Sequence, residues 1–200
     1  MSRLLVHVEG ETEESFVNEV LGPHLFEFGF WEVAARLLGN ARQRSRRGGI
    51  CGWPSVRRDI VGHLKGDPTC IATTMVDYYG LPQAGASAWP GRTEASTTVF
   101  DRKASRVENA VLEDVRNEMG VNFDSRRFIP YLMMHEFEAL LFSDCAKFAS
   151  GIGQPELADR FQRIRGDFAS PEEIDDSPNH APSKRIETLV SGYPKKFMGL

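Results

Sequence analysis

The chain has 200 residues, 41% apolar and 26% charged, with 18 Gly, 11 Pro and a net charge of −4. A chain of that size buries roughly 70% of its unfolded surface, so it needs neither disulfides nor a structural metal to fold, and its composition excludes disordered, collagenous and heptad-repeat classes. Cys51, Cys70 and Cys145 are far apart and form no C-x-x-C pair, which argues against a disulfide scaffold, a zinc ribbon or a thioredoxin-type site.

In chain order, residues 3–8 read as a short buried strand. Thr12 reads as the N-cap of a helix carrying Phe16, Val17, Val20 and Leu21 on one face. Gly22-Pro23 interrupts that helix, and a short helical piece is expected over 24–28. A second strand over 33–38 leads to an arginine-rich loop and a helix near 56–64. The run CIATTMV, 70–76, is the clearest strand. Residues 78–92 lack periodicity and predict a long loop with exposed aromatics. A helix follows with Val107, Ala110, Val111, Val115 and Met119 on one face and Ser105 with Glu108 as a capping box. A fourth strand over 128–134 runs into a helix over 136–142.

This alternation predicts an α/β fold: a mostly parallel sheet of about four strands with helices on both faces. Beyond residue 143 the texture is helical, with pieces near 144–149 and 155–164, a capping box at Ser170-Pro171-Glu172-Glu173, and a helix after APSKR. The expected organisation is a core over 1–142 with a helical C-terminal extension over 143–200. The opening MSRLLVHVEG is too short in apolar residues for a signal-peptide core, and no apolar run approaches the roughly 18 residues of a membrane span. The expectation is a soluble cytoplasmic protein with no membrane contact.

Charge is unevenly spread. Residues 36–58 hold seven arginines and no Asp, Glu or Lys, so the remainder of the chain carries −11. Within that segment NARQRSRRGG, 40–49, is bounded by glycine breakers. Arginine's planar fork suits phosphates and base edges, which makes Arg42, Arg44, Arg46, Arg47, Arg57 and Arg58 candidate nucleic-acid contacts. The structural alternative is a solvated loop kept soluble by its charge.

Ligands of open α/β sheets sit beyond the carboxyl ends of the strands. The first strand ends in Glu9-Gly10, the third in Asp77-Tyr78-Tyr79-Gly80, and the fourth in His135-Glu136-Phe137-Glu138. Convergent carboxylates are most readily accommodated by a divalent cation, and an oxygen set without Cys favours Mg²⁺ or Mn²⁺. Each carboxylate alone could be a solvated turn, a cap or a first-turn acid, as Glu13 and Glu14 are expected to be near the start of their helix. HEFEA lacks the second His of a zinc-protease motif, and no G-x-G-x-x-G, P-loop or G-x-S-x-G sequence occurs. His7 reads as a core histidine, and His135 borders the acidic edge as a candidate acid, base or partner.

The motifs VHVEGETEESF and TTMVDYYGLP resemble the Toprim domain of topoisomerases, bacterial primases and related nucleases. Together with FIPYLMMHEFEALLFSD, NHAPSKRI and GYPKKFMG they look like the Toprim-like family known as domain of unknown function 4276, over nearly the whole chain. The resemblance implies a Toprim-like, Rossmann-like core. It also implies that Glu9 is a metal ligand and general acid or base, and that Asp77 is the first Asp of the Asp-x-Asp motif. The chain departs from that motif, since Tyr79 stands at the second Asp position. Glu136 or Glu138 could then complete the metal set, with Lys184 as a cation for a phosphate or leaving oxygen. An ATPase partner in a phage-defence setting is also implied, as is one further helix beyond Leu200.

Two functions compete. The first is a Mg²⁺- or Mn²⁺-dependent nuclease or phosphoryl-transfer enzyme with Glu9, Asp77, Glu136 and Lys184 as catalytic residues and the arginine segment gripping nucleic acid. The second is a non-catalytic sensor or partner subunit that docks an ATPase or a phage protein, favoured by Tyr79 in place of the second Asp and by the aromatic loop of residues 78–89. DNA or RNA, the trigger and a homo-oligomeric state stay open.

Overall fold

Leu4 to Val8 are buried without alternation, as a strand covered on both faces requires. That strand, β1 (Ser2–Val8), has a neighbour on each side in the computed structural model, which describes residues 2–39, 51–174 and 181–190. The described strands are β2 (Phe30–Leu37), β3 (Cys70–Asp77), β4 (Phe128–Ile129) and β5 (Leu132–Met133). Their order is β2-β1-β3-β4, every pair along it parallel, with β5 also pairing β3. The chain is thus an α/β protein with a mostly parallel five-stranded sheet.

Two compact units divide the chain, Met1–Leu132 and Met133–Leu200. In the first, helix α1 (Glu11–Phe16) starts directly after Gly10, so Gly10 rather than Thr12 occupies the cap position. A π-helical turn, Val17–Leu21, joins α1 to α2 (Gly22–Phe26), so Pro23 sits near a helix start, where its missing N–H costs little. Helix α3 (Trp53–Gly66) buries Trp53, Val56, Ile60, Val61 and Leu64. Arg127 stitches its end to β3, with Nη2 donating to the carbonyls of Leu64 and Asp67 and Nε to that of Cys70. Carbonyls that a helix end leaves without intrahelical partners are thereby satisfied.

The loop after β3 is not the exposed aromatic arm expected from sequence. Tyr78 and Trp89 are buried, and only Tyr79 of the three aromatics is exposed. Trp89 stacks at 4.9 Å on Trp53 and donates Nε1–H to the Cys51 carbonyl, which ties the loop to the start of α3. The loop leads into α4 (Arg92–Ala95) and then α5 (Phe100–Met119). Helix α5 begins before Ser105, whose hydroxyl donates to the Arg102 carbonyl and caps nothing. Gly91 joins loop to helix with φ +75°, and a Cβ there would lie 2.8 Å from Ala110 Cβ and 3.0 Å from the Arg106 carbonyl. Both the backbone conformation and the close approach to α5 demand glycine.

The single strand expected over 128–134 is broken at Pro130, which has no N–H for the ladder. The Thr74 hydroxyl fills the gap, donating to the Tyr131 carbonyl and accepting its N–H, and Glu108 of α5 accepts from Leu132 N–H. His7 is the one fully buried histidine among the described residues. Its Nδ1 meets the Thr73 carbonyl at 3.1 Å and its Nε2 meets His63 Nδ1 of α3 at 3.2 Å.

The second unit contains α6 (Cys145–Gly151), α7 (Ala158–Gly166), α8 (Pro182–Leu189) and a 3-10 segment Phe137–Ser143 in place of the expected α-helix. Phe142, Phe148 and Phe161 form its aromatic centre, with ring centroids 4.6 to 6.2 Å apart.

Two measurements test this packing. Gly91→Ala should destabilise the protein by about 2–4 kcal/mol in urea unfolding, through strain and overpacking. Gly62→Ala, in mid-α3 with open space around it, should stabilise it by about 1 kcal/mol. The pH dependence follows from His7, whose pKa burial pushes from 6.5 down to about 4 against the opposing hydrogen bond to Thr73. The unfolded chain binds that proton near pH 6.5 and the folded chain only near 4. Stability is therefore full above pH 6.5 and falls by about 3 kcal/mol as the pH drops from 6.5 to 4. Burial also lowers the His63 pKa, which acts in the same direction. A urea midpoint unchanged between pH 6.5 and 4.5 would contradict this assignment.

Candidate functional site

Strands β1 and β3 are parallel neighbours with Val8 opposite Met75, so they end at the same edge. Glu9 follows the first and Asp77 closes the second, about one strand spacing (~4.8 Å) apart at the backbone with Asp77 one residue further along. Glu9 Oε2 and Asp77 Oδ1 are both shielded from solvent. The sequence expectation of carboxylates delivered by these two strand ends matches their placement.

A third carboxylate of this unit is hidden in the sequence. Glu13 reads there as a first-turn acid explained by the helix dipole, yet it is buried and its Oε2 lies 2.8 Å from where a Cβ on residue 10 would sit. Gly10 has ordinary extended angles, and the room left by its missing Cβ is where the Glu13 carboxylate sits. The signal is the Glu9-Gly10-x-x-Glu13 spacing, which folds a helix carboxylate back over the strand end. Among the described residues, no group of three or more His, Cys, Asp or Glu is arranged to hold a metal ion. The donor chemistry nonetheless fits Mg²⁺, which keeps several waters and is bound through one or two carboxylates plus substrate phosphates.

Cys51 belongs to the same neighbourhood. Burial, with the negative charges of Asp59 and Glu9, pushes its thiol up from 9, so it stays protonated at neutral pH and is no nucleophile.

Immediately beyond Asp77 lies a cation cluster that sequence reasoning missed. Arg92 is 94% buried, an uncommon state for an arginine. Its Nε donates to the Tyr78 carbonyl and its Nη1 to the Tyr78 hydroxyl, each at 3.1 Å, and its guanidinium lies 4.1 Å from the Tyr78 ring centroid. Tyr79 packs edge-on against Tyr78, 5.9 Å from the Arg92 guanidinium and 5.5 Å from Lys103 Nζ. Lys103 also reaches the Tyr79 hydroxyl at 3.5 Å. Among the described residues, neither Arg92 nor Lys103 has a carboxylate partner. In the sequence, an arginine within a loop of small and apolar residues was the available signal.

The arginine segment divides. Arg42, Arg44, Arg46 and Arg47 lie outside the described residues. Arg57 is held by Asp114 at 3.2 Å, which also accepts from Trp53 Nε1, so Arg57 braces α3 against α5. Arg58 is exposed, with Nη2 donating to Ser55 Oγ.

The second unit carries the remaining candidates. His135 and Glu138 are buried there. Glu136 Oε2 accepts from the Ser183 N–H at 2.9 Å, so its carboxylate caps the first turn of α8, where the helix dipole favours an anion. Lys184 is exposed and bonded to Glu187 at 2.7 Å, which together with its charge raises the lysine pKa. Such a surface pair is worth little to stability. The cap assigns Glu136 a structural task that its position in HEFEA did not reveal: Glu136→Ala should cost about 1–2 kcal/mol in chemical unfolding and speed amide exchange in the first turn of α8. Wild-type exchange there would contradict the cap.

No helix among the described residues is long and apolar enough to cross a membrane. No curated protein and no solved structure matches the chain. A family model, domain of unknown function (DUF4276), matches residues 8–200. That match starts at the last residue of β1 and takes in Glu9, Glu13, Asp77 and Arg92, and the chain belongs to the DUF4276 family.

Proposed function

We propose that the protein is a Mg²⁺- or Mn²⁺-dependent phosphoryl-transfer enzyme of Toprim-like type that cleaves nucleic acid, with its reaction centre at the joint end of β1 and β3. The observation that carries this reading is the delivery of Glu9 and Asp77, with buried oxygens, to one edge by adjacent parallel strands. Carboxylates brought to one edge by neighbouring strands suit a hard divalent cation, which takes oxygen ligands. Glu9 and Asp77 would hold the ion, with water and substrate phosphate oxygens completing its shell. When bound, such an ion activates water and neutralises charge on a scissile phosphate.

This chain's own residues supply the rest. Glu9 would also accept the proton that the attacking water must release on hydrolysis. Tyr78 carries no charge and is locked by Arg92, which fixes the backbone just past Asp77. For the docking alternative, this loop offers one exposed aromatic, Tyr79, since Tyr78 and Trp89 are buried.

Nicking of supercoiled plasmid and cleavage of a single-stranded oligonucleotide, each with Mg²⁺ or Mn²⁺, test the proposal. Cleavage should require the ion and fall by on the order of 100-fold or more in Glu9→Gln and in Asp77→Asn, at unchanged melting temperature. Cleavage that is indifferent to both substitutions, or absent from the wild type with either ion, would sink the proposal.

A further inference from the structure

Arg92 is a buried guanidinium whose neighbours are two aromatic rings and a carbonyl rather than an acid. Of its five N–H donors, two are used, both on Tyr78. A buried cation is costly unless it is paired, and a bound anion would supply that partner to Arg92. Lys103 adds a second positive charge from α5, and the Tyr79 hydroxyl adds a polar group 3.5 Å from its Nζ.

The scaffold holds this arrangement firmly. Gly91 lets α4 pack on α5, and Arg92 and Lys103 lie 5.9 Å and 5.5 Å from the Tyr79 ring centroid. Tyr78 clamps the guanidinium at two points, so the fork is fixed before any ligand arrives. The aromatic pair at the centre of the cluster comes one and two residues after Asp77 along the chain.

We propose that Arg92, Lys103 and the Tyr79 hydroxyl form an anion subsite that takes a phosphate group of the substrate, next to the carboxylates that close β1 and β3. The inference rests on the reading of that edge as the reaction centre and adds the group that anchors the substrate beside it. Arginine presents a planar fork to phosphate oxygens and lysine a point charge, so the pair fits a phosphate better than a carboxylate of similar size. The phosphate can belong to a nucleic-acid strand or to a free nucleotide.

Binding measured in EDTA separates this subsite from metal chemistry. One arm follows fluorescence anisotropy of a labelled single-stranded oligonucleotide, and the other follows calorimetry with a nucleoside monophosphate. The variants are Lys103→Gln, Tyr79→Phe and Arg92→Lys. Lys103→Gln should weaken binding about threefold to tenfold and flatten the slope of log affinity against log salt by about 0.7, as loss of one phosphate contact requires. Arg92→Lys keeps the charge but loses the fork, and should weaken binding at least as much. Tyr79→Phe should show the smaller loss of a single hydroxyl. Glu9→Gln and Asp77→Asn should bind at least as tightly as wild type in the same buffer, so failure of the metal reading would appear in cleavage and not here. Dependence on Lys103 in the oligonucleotide arm assigns the subsite to a strand phosphate, and dependence in the nucleotide arm to a free one. If Arg92→Lys does not fold, the half-exposed Lys103 carries the test alone. Lys103→Gln and Tyr79→Phe with wild-type affinity and salt slope in both arms would overturn the subsite.

Discussion

Parallel pairing of β1 with β3 is the constraint on which the rest of this structure depends. Parallel strands need cover on both faces; β1 is buried from Leu4 to Val8, and helices such as α3 pack their apolar side chains inward. They also run the same way, so the residues just past their carboxyl ends arrive at the same edge. The register that sets Val8 opposite Met75 therefore does two things at once. It closes the core, and it brings Glu9 and Asp77 to the same edge, one residue out of register. A slip of one residue would turn every core side chain of β1 to the other face, so the carboxylate pair inherits its precision from hydrophobic packing.

Around that edge the polar groups are held by their neighbours rather than by one another. Glu13 fits over Gly10 because no Cβ is present, and Arg92 is clamped by Tyr78 because Gly91 lets α4 close on α5. The loop between β3 and α4 is fixed at its far end by the Trp53–Trp89 stack. A segment that reads as loose in sequence is thus a braced support for an acidic and a basic cluster side by side. That juxtaposition suits a phosphate ester, whose oxygens face a cation while the attacking water faces a carboxylate.

The strands β1, β2 and β3 were legible because their apolar runs are short, rich in branched residues and bounded by turn formers. The split of β4 from β5 was not, since FIPYLMM reads as one run and only Pro130 betrays the break that Thr74 repairs. The start of α5 was placed too late because Ser105 with Glu108 imitates a capping box, whereas Glu108 is used by Leu132 N–H. Glu9 and Asp77 were legible because each stands at the carboxyl end of a clear strand, where ligands of open sheets bind. Glu13 escaped because an acid in a first helical turn already has a dipole explanation. Arg92 escaped for a different reason: its partner Tyr78 is 14 residues away, and nothing local predicts their contact.

The most direct test of the metal-centred account is a crystal grown with Mn²⁺ and measured near the manganese absorption edge. The account predicts an anomalous peak within about 2.2 Å of carboxylate oxygens from Glu9 and Asp77, lost in the Asp77→Asn protein. A manganese peak elsewhere with these two carboxylates unliganded, or none at saturating Mn²⁺, would contradict it.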